Sequence, residues 1–166
     1  MEKNELIINL VHNGEPKPYA RQRFTFRGKH SYNPRGDYML DLKKEFNSQI
    51  SEEQKNLIKL IINNQDKKDN DYYVEVEGDF YIKIPTADSK KLREKKLSGE
   101  YKPTVSRGDV DNYIKLILDV LHDVVYDDDR HVTKIISEKH YAEEPKVELR
   151  IKIQYNGVMN NEKEKC

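Results

Sequence analysis

The chain carries Arg107-Gly108-Asp109-Val110-Asp111-Asn112-Tyr113-Ile114-Lys115, runs on through an apolar-striped segment, and reaches Asp127-Asp128-Asp129. From Val110 onward the apolar residues recur at helical spacing. Val110, Tyr113, Ile114, Ile117, Leu121 and Val124 share one stripe, and Asn112, Lys115, Asp119 and His122 lie away from it. The spacing predicts an amphipathic helix over 110–125, with Asp109 placed to cap it. Two carboxylates therefore open the helix and three follow it. Carboxylate oxygens are the ligands that Mg²⁺ and Mn²⁺ prefer. In extended backbone Asp109 and Asp111 would point the same way. A straight helix of this span is about 24 Å long. The acids at its two ends meet only if the helix is shorter or kinked, or if a second copy supplies one cluster; the sequence leaves these open.

Working outward, residues 129–141 and 147–155 read as strands separated by Pro145. Residues 72–84 alternate, with Val74, Val76, Phe80 and Ile82 opposing Tyr73, Glu75, Glu77 and Asp79. Gly78 interrupts the apolar side and predicts a bulge. Residues 5–12 read as a strand, 38–50 as a helix and 89–97 as a short basic helix. A further helix starts at Ser51, which stands at capping-box spacing from Gln54. Residues 17–35 are loop-like, with a short ribbon near Arg21 and Arg23. The expected fold is one α+β domain over 1–155, a mixed β-sheet packed on one side by helices, followed by a polar tail over 156–166. Tyr73, Phe80 and the stripe over 57–62 are candidate surfaces for a second copy.

Apolar and charged residues each make up 36% of the chain, so the core is modest and the surface highly charged. The net charge is zero, so total charge points to no polyanion; its distribution does. Residues 1–35 hold seven Lys/Arg against three Glu, residues 86–107 seven against three acids, and residues 119–129 five Asp with no Lys or Arg. Two basic segments around an acidic one suit a phosphodiester and a cation. The candidate DNA contacts are Lys17, Arg21, Arg23, Arg27 and Lys29, interleaved with aromatics, and Lys90, Lys91 and Arg107. The single cysteine, Cys166, excludes an intramolecular disulfide. No apolar run approaches the ~20 residues of a membrane span, and the N-terminus lacks a signal-peptide core. The expected setting is the cytoplasm.

Lys115 lies one turn from Asp111, where an ion pair contributes only a few tenths of a kcal/mol. Beside a metal, the same ammonium would stabilise a phosphorane or a leaving oxygen. Other chemistries that use Asp-x-Asp fit less well. A haloacid-dehalogenase-like phosphatase has its pair after a buried N-terminal strand, and a glycosyltransferase needs a larger nucleotide-binding domain. An EF-hand needs a Gly and a distal Glu that this helix excludes.

These residues resemble the RusA family of Holliday junction resolvases, common in phages and prophages. The family's central motif, Asp-x-Asp-Asn-x-x-Lys followed after one helix by Asp-Asp, reads here Asp109, Asp111, Asn112, Lys115 and then Asp128-Asp129. Pro16-Lys17-Pro18 with Arg21-Gln22-Arg23-Phe24, and then Tyr32-Asn33-Pro34, is similar to its basic N-terminal segment. Ser89-Lys90-Lys91 through Gly99-Glu100-Tyr101 resembles the stretch before the motif, and Glu138-Lys139-His140-Tyr141 a late strand. The resemblance implies Mg²⁺-dependent cleavage of four-way DNA junctions in recombination and repair, with Mn²⁺ as a substitute and no organic cofactor. It implies a homodimer with two active sites. Asp109, Asp111, Lys115 and Asp129 would be catalytic, and Asp109, Asp111, Asp128 and Asp129 would hold the metal. Asp127 falls outside the motif, and the segment over 47–71 exceeds that of small members. The alternative is a branched-DNA-binding protein of the same fold that no longer cuts.

Overall fold

The computed structural model describes residues 3–24, 31–64, 71–104 and 108–156. In chain order the elements are β1 (Lys3–His12), β2 (Arg23–Phe24), β3 (Ser31–Tyr32), α1 (Gly36–Gln49) and α2 (Glu52–Asn64). Then come β4 (Tyr72–Lys83), α3 (Lys90–Leu97), α4 (Val110–Leu121), β5 (Val132–Ala142) and β6 (Lys146–Asn156). The four long strands form one mixed sheet in the order β1-β6-β4-β5. β6 pairs antiparallel with both β1 and β4, and β5 runs parallel to β4. A parallel pair needs a crossover connection, and α3 and α4 lie within it. β2 and β3 form the short ribbon expected near Arg23.

β4 alternates through its whole length. Tyr72, Val74, Val76, Phe80 and Ile82 are buried, and Glu75, Glu77, Asp79 and Tyr81 face the other way. Ile8 and Leu10 of β1 and Val147, Leu149, Ile151 and Ile153 of β6 join the buried side. Leu42 and Phe46 of α1, Ile58 and Ile61 of α2, and Tyr113, Ile114, Ile117, Val120 and Leu121 of α4 complete one core with them. The outer face of the sheet is laced by ion pairs: Lys152 to Glu75 at 3.2 Å, Lys134 to Glu75 at 3.4 Å, and Arg150 to Glu77 at 3.5 Å. Exposed pairs of this kind contribute about 0–1 kcal/mol each. They make this face electrically mixed rather than basic.

Local rules account for several element ends. Gln54 N–H donates to Ser51 Oγ at 3.2 Å, and Ser51 N–H donates to Gln54 Oε1 at 3.1 Å, so the capping box forms and starts α2. Ser89 caps α3 through Leu92 N–H. Four expectations need correction. The helix predicted over 110–125 stops at Leu121, and the strand predicted from 129 opens with a single 3₁₀ turn, Asp129–His131. Phe80 is buried, so it cannot meet a second copy, whereas Tyr73 and Leu60 are exposed. Gly78 is not a bulge: its pairing with β5 and β6 is continuous, and the register shift in β4 lies between Val74 and Glu75. The polar tail lies, from residue 157, outside the described residues. No helix among those described is long and apolar enough to cross a membrane.

Gly78 has a different purpose. A Cβ there would stand 3.1 Å from Ile114 Cδ1 and 3.3 Å from Phe80 Cε2, so the missing side chain lets α4 settle on the sheet. Gly78→Val should overpack this contact and cost about 1–3 kcal/mol. That loss corresponds to a fall in Tm of roughly 3–10 °C for a chain of this size. Thermal unfolding by circular dichroism measures it, and an unchanged Tm would contradict the close approach.

Candidate active site

α4 forms because its apolar residues meet the core on one side, and this leaves Asp111, Lys115 and Asp119 exposed on the other. At i, i+4 and i+8 they make one stripe, with neighbours about 6 Å apart along the axis. Asp109 occupies the N-cap in extended backbone, but its side chain makes no capping hydrogen bond. Only its carbonyl is used, accepting from Asn112 and Tyr113 N–H at 3.0 and 3.3 Å. The carboxylate is therefore not consumed by capping. Asp111 already belongs to the first helical turn, so the pair does not share the extended geometry that its spacing suggested.

The early end of α4 resolves how the distant acids approach the helix. Twelve residues make it about 18 Å long. Asp123 then takes φ 66°, a left-handed conformation in which a short polar side chain is tolerated. Asp123 N–H donates to Tyr126 O at 2.8 Å, and the buried Tyr126 donates its hydroxyl to Leu118 O at 2.8 Å. The chain reverses, and Asp127 accepts from the Tyr72 hydroxyl at 2.5 Å. His131 stacks on the Tyr72 ring at 4.0 Å. Burial first, and the bond to Asp127 second, push the Tyr72 hydroxyl well above the usual tyrosine range. Asp127, which the sequence left without a role, thus anchors the turn that delivers Asp129. Asp128 caps the 3₁₀ turn through Arg130 N–H at 3.0 Å and pairs with Arg130 Nε at 3.2 Å.

Asp129 and Lys115 line the same cavity, of about 580 Å³, together with Asp119 and His122. Met39, Leu118, Val132 and Ile135 supply its apolar wall. Although the side chain is largely exposed, partial desolvation at the cavity wall raises the Asp119 carboxyl above its ordinary range. Asp129 acts in the same direction, and Lys115, His122 and Lys43 oppose both. Asp119 and Asp129 offer carboxylate oxygens to one cavity, and an all-oxygen donor set suits Mg²⁺ or Mn²⁺. Asp109 and Asp111 do not line the cavity; they stand at the N-terminal end of the same helix. The structure therefore brings together two of the four predicted catalytic residues and leaves the other two one turn or more away. Asp119 was not predicted. Its spacing of four from Lys115 was the available signal, since Asp111, Lys115 and Asp119 must share a face of any helix.

One group among the described residues holds three ligand atoms within 4.8 Å of one another: Asp79, Glu138 and His140. Asp79 and His140 are hydrogen-bonded at 2.7 Å. β4 and β5 carry this trio on the outer face of the sheet, away from α4, so it is separate from the predicted metal ligands.

One basic segment is tied to the N-terminal end of α4, and the other, on α3, packs beside β5. Tyr19 N–H donates to Asn112 O at 2.8 Å, which ties the segment of Lys17, Arg21 and Arg23 to that end. Lys17 sits over the Tyr38 ring at 4.5 Å, and Arg21 and Arg23 are exposed. Lys139 Nζ donates to Gly108 O at 3.0 Å, and α3 packs beside the end of β5 through Lys96 over Tyr141. Lys90 and Lys91 are exposed at the start of α3. Arg93, Lys95 and Lys96 are occupied by Glu143, Glu100 and Asp88. The candidate contacts Arg27, Lys29 and Arg107 lie outside the described residues.

The family model of the RusA endodeoxyribonucleases matches residues 13–152. The chain belongs to the RusA family. It is also similar to an uncharacterised protein of Bacillus subtilis (strain 168), YqaN, with 42% identity over 66 residues. That match covers 40% of this chain and 46% of YqaN, so the chain aligns with about half the length of that relative. RusA-family membership accords with the mixed sheet and with the acidic motif on α4.

Tyr72→Phe keeps the ring stack on His131 but removes the hydroxyl that donates to Asp127. It should cost about 1–3 kcal/mol, read as a lower urea midpoint at unchanged slope. Asp127→Asn, which can still accept from the hydroxyl, should cost less. An unchanged midpoint in Tyr72→Phe would show that this bond does not anchor the turn.

Proposed function

We propose that this RusA-family chain is a divalent-metal-dependent endodeoxyribonuclease that resolves four-way DNA junctions by paired phosphodiester hydrolysis. Its setting is phage or bacterial recombination and repair in the cytoplasm, where the DNA is. One observation carries the reading: Lys115 and Asp129 face one cavity beside Asp119, on a helix whose first turn is tied to the segment that carries exposed Arg21 and Arg23.

In this reading Asp129 and Asp119 would hold Mg²⁺ or Mn²⁺ at the cavity, Asp128 would support the turn, and Asp109 and Asp111, one turn or more away, would hold a cation of their own at the N-terminal end of the helix. A bound cation supplies charge neutralisation and activation of the attacking water. Lys115 places its ammonium where the phosphorane or leaving oxygen gains negative charge. The exposed arginines and lysines hold the backbone phosphates, and the ion-paired outer sheet face stays away from DNA. The active form is a homodimer, because two symmetric cuts call for two sites related by the symmetry of the junction. β5 supports this: it is an open edge of the sheet and carries exposed Ile135 and Ile136, and long exposed edges pair readily with another chain. A second reading, junction binding without efficient cutting, is favoured by one feature: Asp109 and Asp111 stand outside the cavity that holds Asp129.

Single-turnover cleavage of labelled four-way junction, flap and linear duplex, with Mg²⁺ or EDTA, separates the two readings. Asp129→Asn and Asp111→Asn should each lose on the order of 10²-fold or more in cutting, with junction affinity in EDTA retained. Asp119→Asn should also cut more slowly, and Lys115→Ala should lose rate far more than affinity. Tight binding by the wild-type chain with no Mg²⁺-dependent nick would establish the second reading.

Metal binding has an independent readout. Mn²⁺ should raise Tm, because a ligand that binds only the folded state stabilises it. Asp129→Asn should abolish that rise. A rise that survives in this variant but disappears in Asp79→Asn would move the metal to the outer face of the sheet.

DNA contact is read from salt. Each phosphate neutralised contributes about 0.9 to the slope of log affinity against log salt. Arg21→Ala with Arg23→Ala should weaken junction binding and flatten that slope by roughly two contacts. Identical slopes would assign the contact to Lys90 and Lys91 instead.

A further inference from the structure

We propose that Tyr19 is a positioning residue for Lys115, which makes the N-terminal segment part of the catalytic apparatus; this rests on the nuclease reading above. The Lys115 ammonium lies 4.3 Å from the centroid of the Tyr19 ring. Its two carboxylate neighbours on the helix, Asp111 and Asp119, stand one turn before and one turn after it. Among the described residues neither forms an ion pair with it. Among the described residues, the lysine's direct side-chain contact is an aromatic face supplied by a different part of the chain.

That face is fixed without help from Lys115. Tyr19 N–H donates to Asn112 O at 2.8 Å, on the first turn of α4. The carbonyl of Pro18 accepts from Arg35 Nε at 3.3 Å. Pro18 also presses on Gly108, where a Cβ would come within 2.7 Å of Pro18 Cβ and where φ is 121°. The Tyr19 ring packs partly buried against the core. Three independent contacts thus set the ring over the helix stripe.

The chemical consequence follows from what holds the ammonium. A lysine stem is flexible, and an exposed one spreads over many rotamers. An ion pair with Asp111 or Asp119 would fix it but cancel its charge. The negative face of an aromatic ring attracts the ammonium electrostatically and leaves its full charge available to a phosphate. Tyr19 also precedes Arg21 by two residues, so the ring beside the lysine and the arginines proposed to meet DNA belong to one segment.

The test is a double-mutant cycle in the full-length protein, with Tyr19→Leu, Tyr19→Phe, Lys115→Ala and the Tyr19→Leu/Lys115→Ala pair. Single-turnover cleavage of a four-way junction with Mg²⁺ is measured beside junction affinity in EDTA. Tyr19→Leu should slow cleavage roughly 3–10-fold, the scale of one cation–π contact, with affinity unchanged. Tyr19→Phe, which keeps the ring, should restore most of the rate. In the Lys115→Ala background Tyr19→Leu should cost nothing further, since the partner it acts through is gone. Equal losses in both backgrounds, or an affinity loss that matches the rate loss, would overturn the positioning role alone. A wild-type chain that cuts no branched DNA would overturn the nuclease reading and this role with it.

Discussion

Helix α4 rests on the sheet at the one inward position of β4 that has no side chain. Ile114 approaches the backbone at Gly78, and Tyr113 meets the Phe80 ring at 5.2 Å. Close packing of this kind leaves little freedom to rotate or slide, because a shift of even one methylene is felt in a dense interior. The depth and rotation of α4 are therefore set from below. Its opposite face, with Asp111, Lys115 and Asp119, inherits that orientation. The buried contact at Gly78 decides where the polar stripe points, although it touches none of its residues.

The second constraint is the reversal after Leu121. Had α4 continued along its apolar stripe, the acids beyond it would have been carried away from Lys115. Asp123 in the left-handed region and the buried Tyr126 end the helix, and Tyr72 holds Asp127. Of three consecutive aspartates, Asp127 is an anchor, Asp128 caps the 3₁₀ turn, and Asp129 is left facing the cavity. Their differing uses follow from backbone direction, since neighbours in an extended or tight turn cannot all point one way.

Charge is arranged to match. A chain of zero net charge has no general attraction for a polyanion. The outer sheet face spends its lysines and arginines on neighbouring glutamates, and most of α3 does the same. Among the described residues, Arg21 and Arg23 are exposed and enter no ion pair, and the tie of Tyr19 to Asn112 holds their segment to the N-terminal end of α4. The electrostatic signal is local, and it coincides with the acids.

Much of this was legible in the sequence. Strict alternation in β4 and β6, helical spacing in α4 and the capping box at Ser51 are local patterns, and local patterns are imposed by backbone geometry that any short segment shares. The motif from Asp109 to Lys115 with Asp128-Asp129 likewise pointed to the family before any fold was known. The sequence could not say that Gly78 is a helix seat rather than a bulge. Nor could it say that α4 stops at Leu121, that Asp127 and Asp129 have opposite fates, or that Tyr19 lies beneath Lys115. Each of these depends on a partner distant in the chain: Ile114 for Gly78, Tyr72 for Asp127, the N-terminal segment for Lys115. Periodicity reports which face of an element is apolar; only the packed structure determines what that face meets, because the meeting requires both elements to be in place.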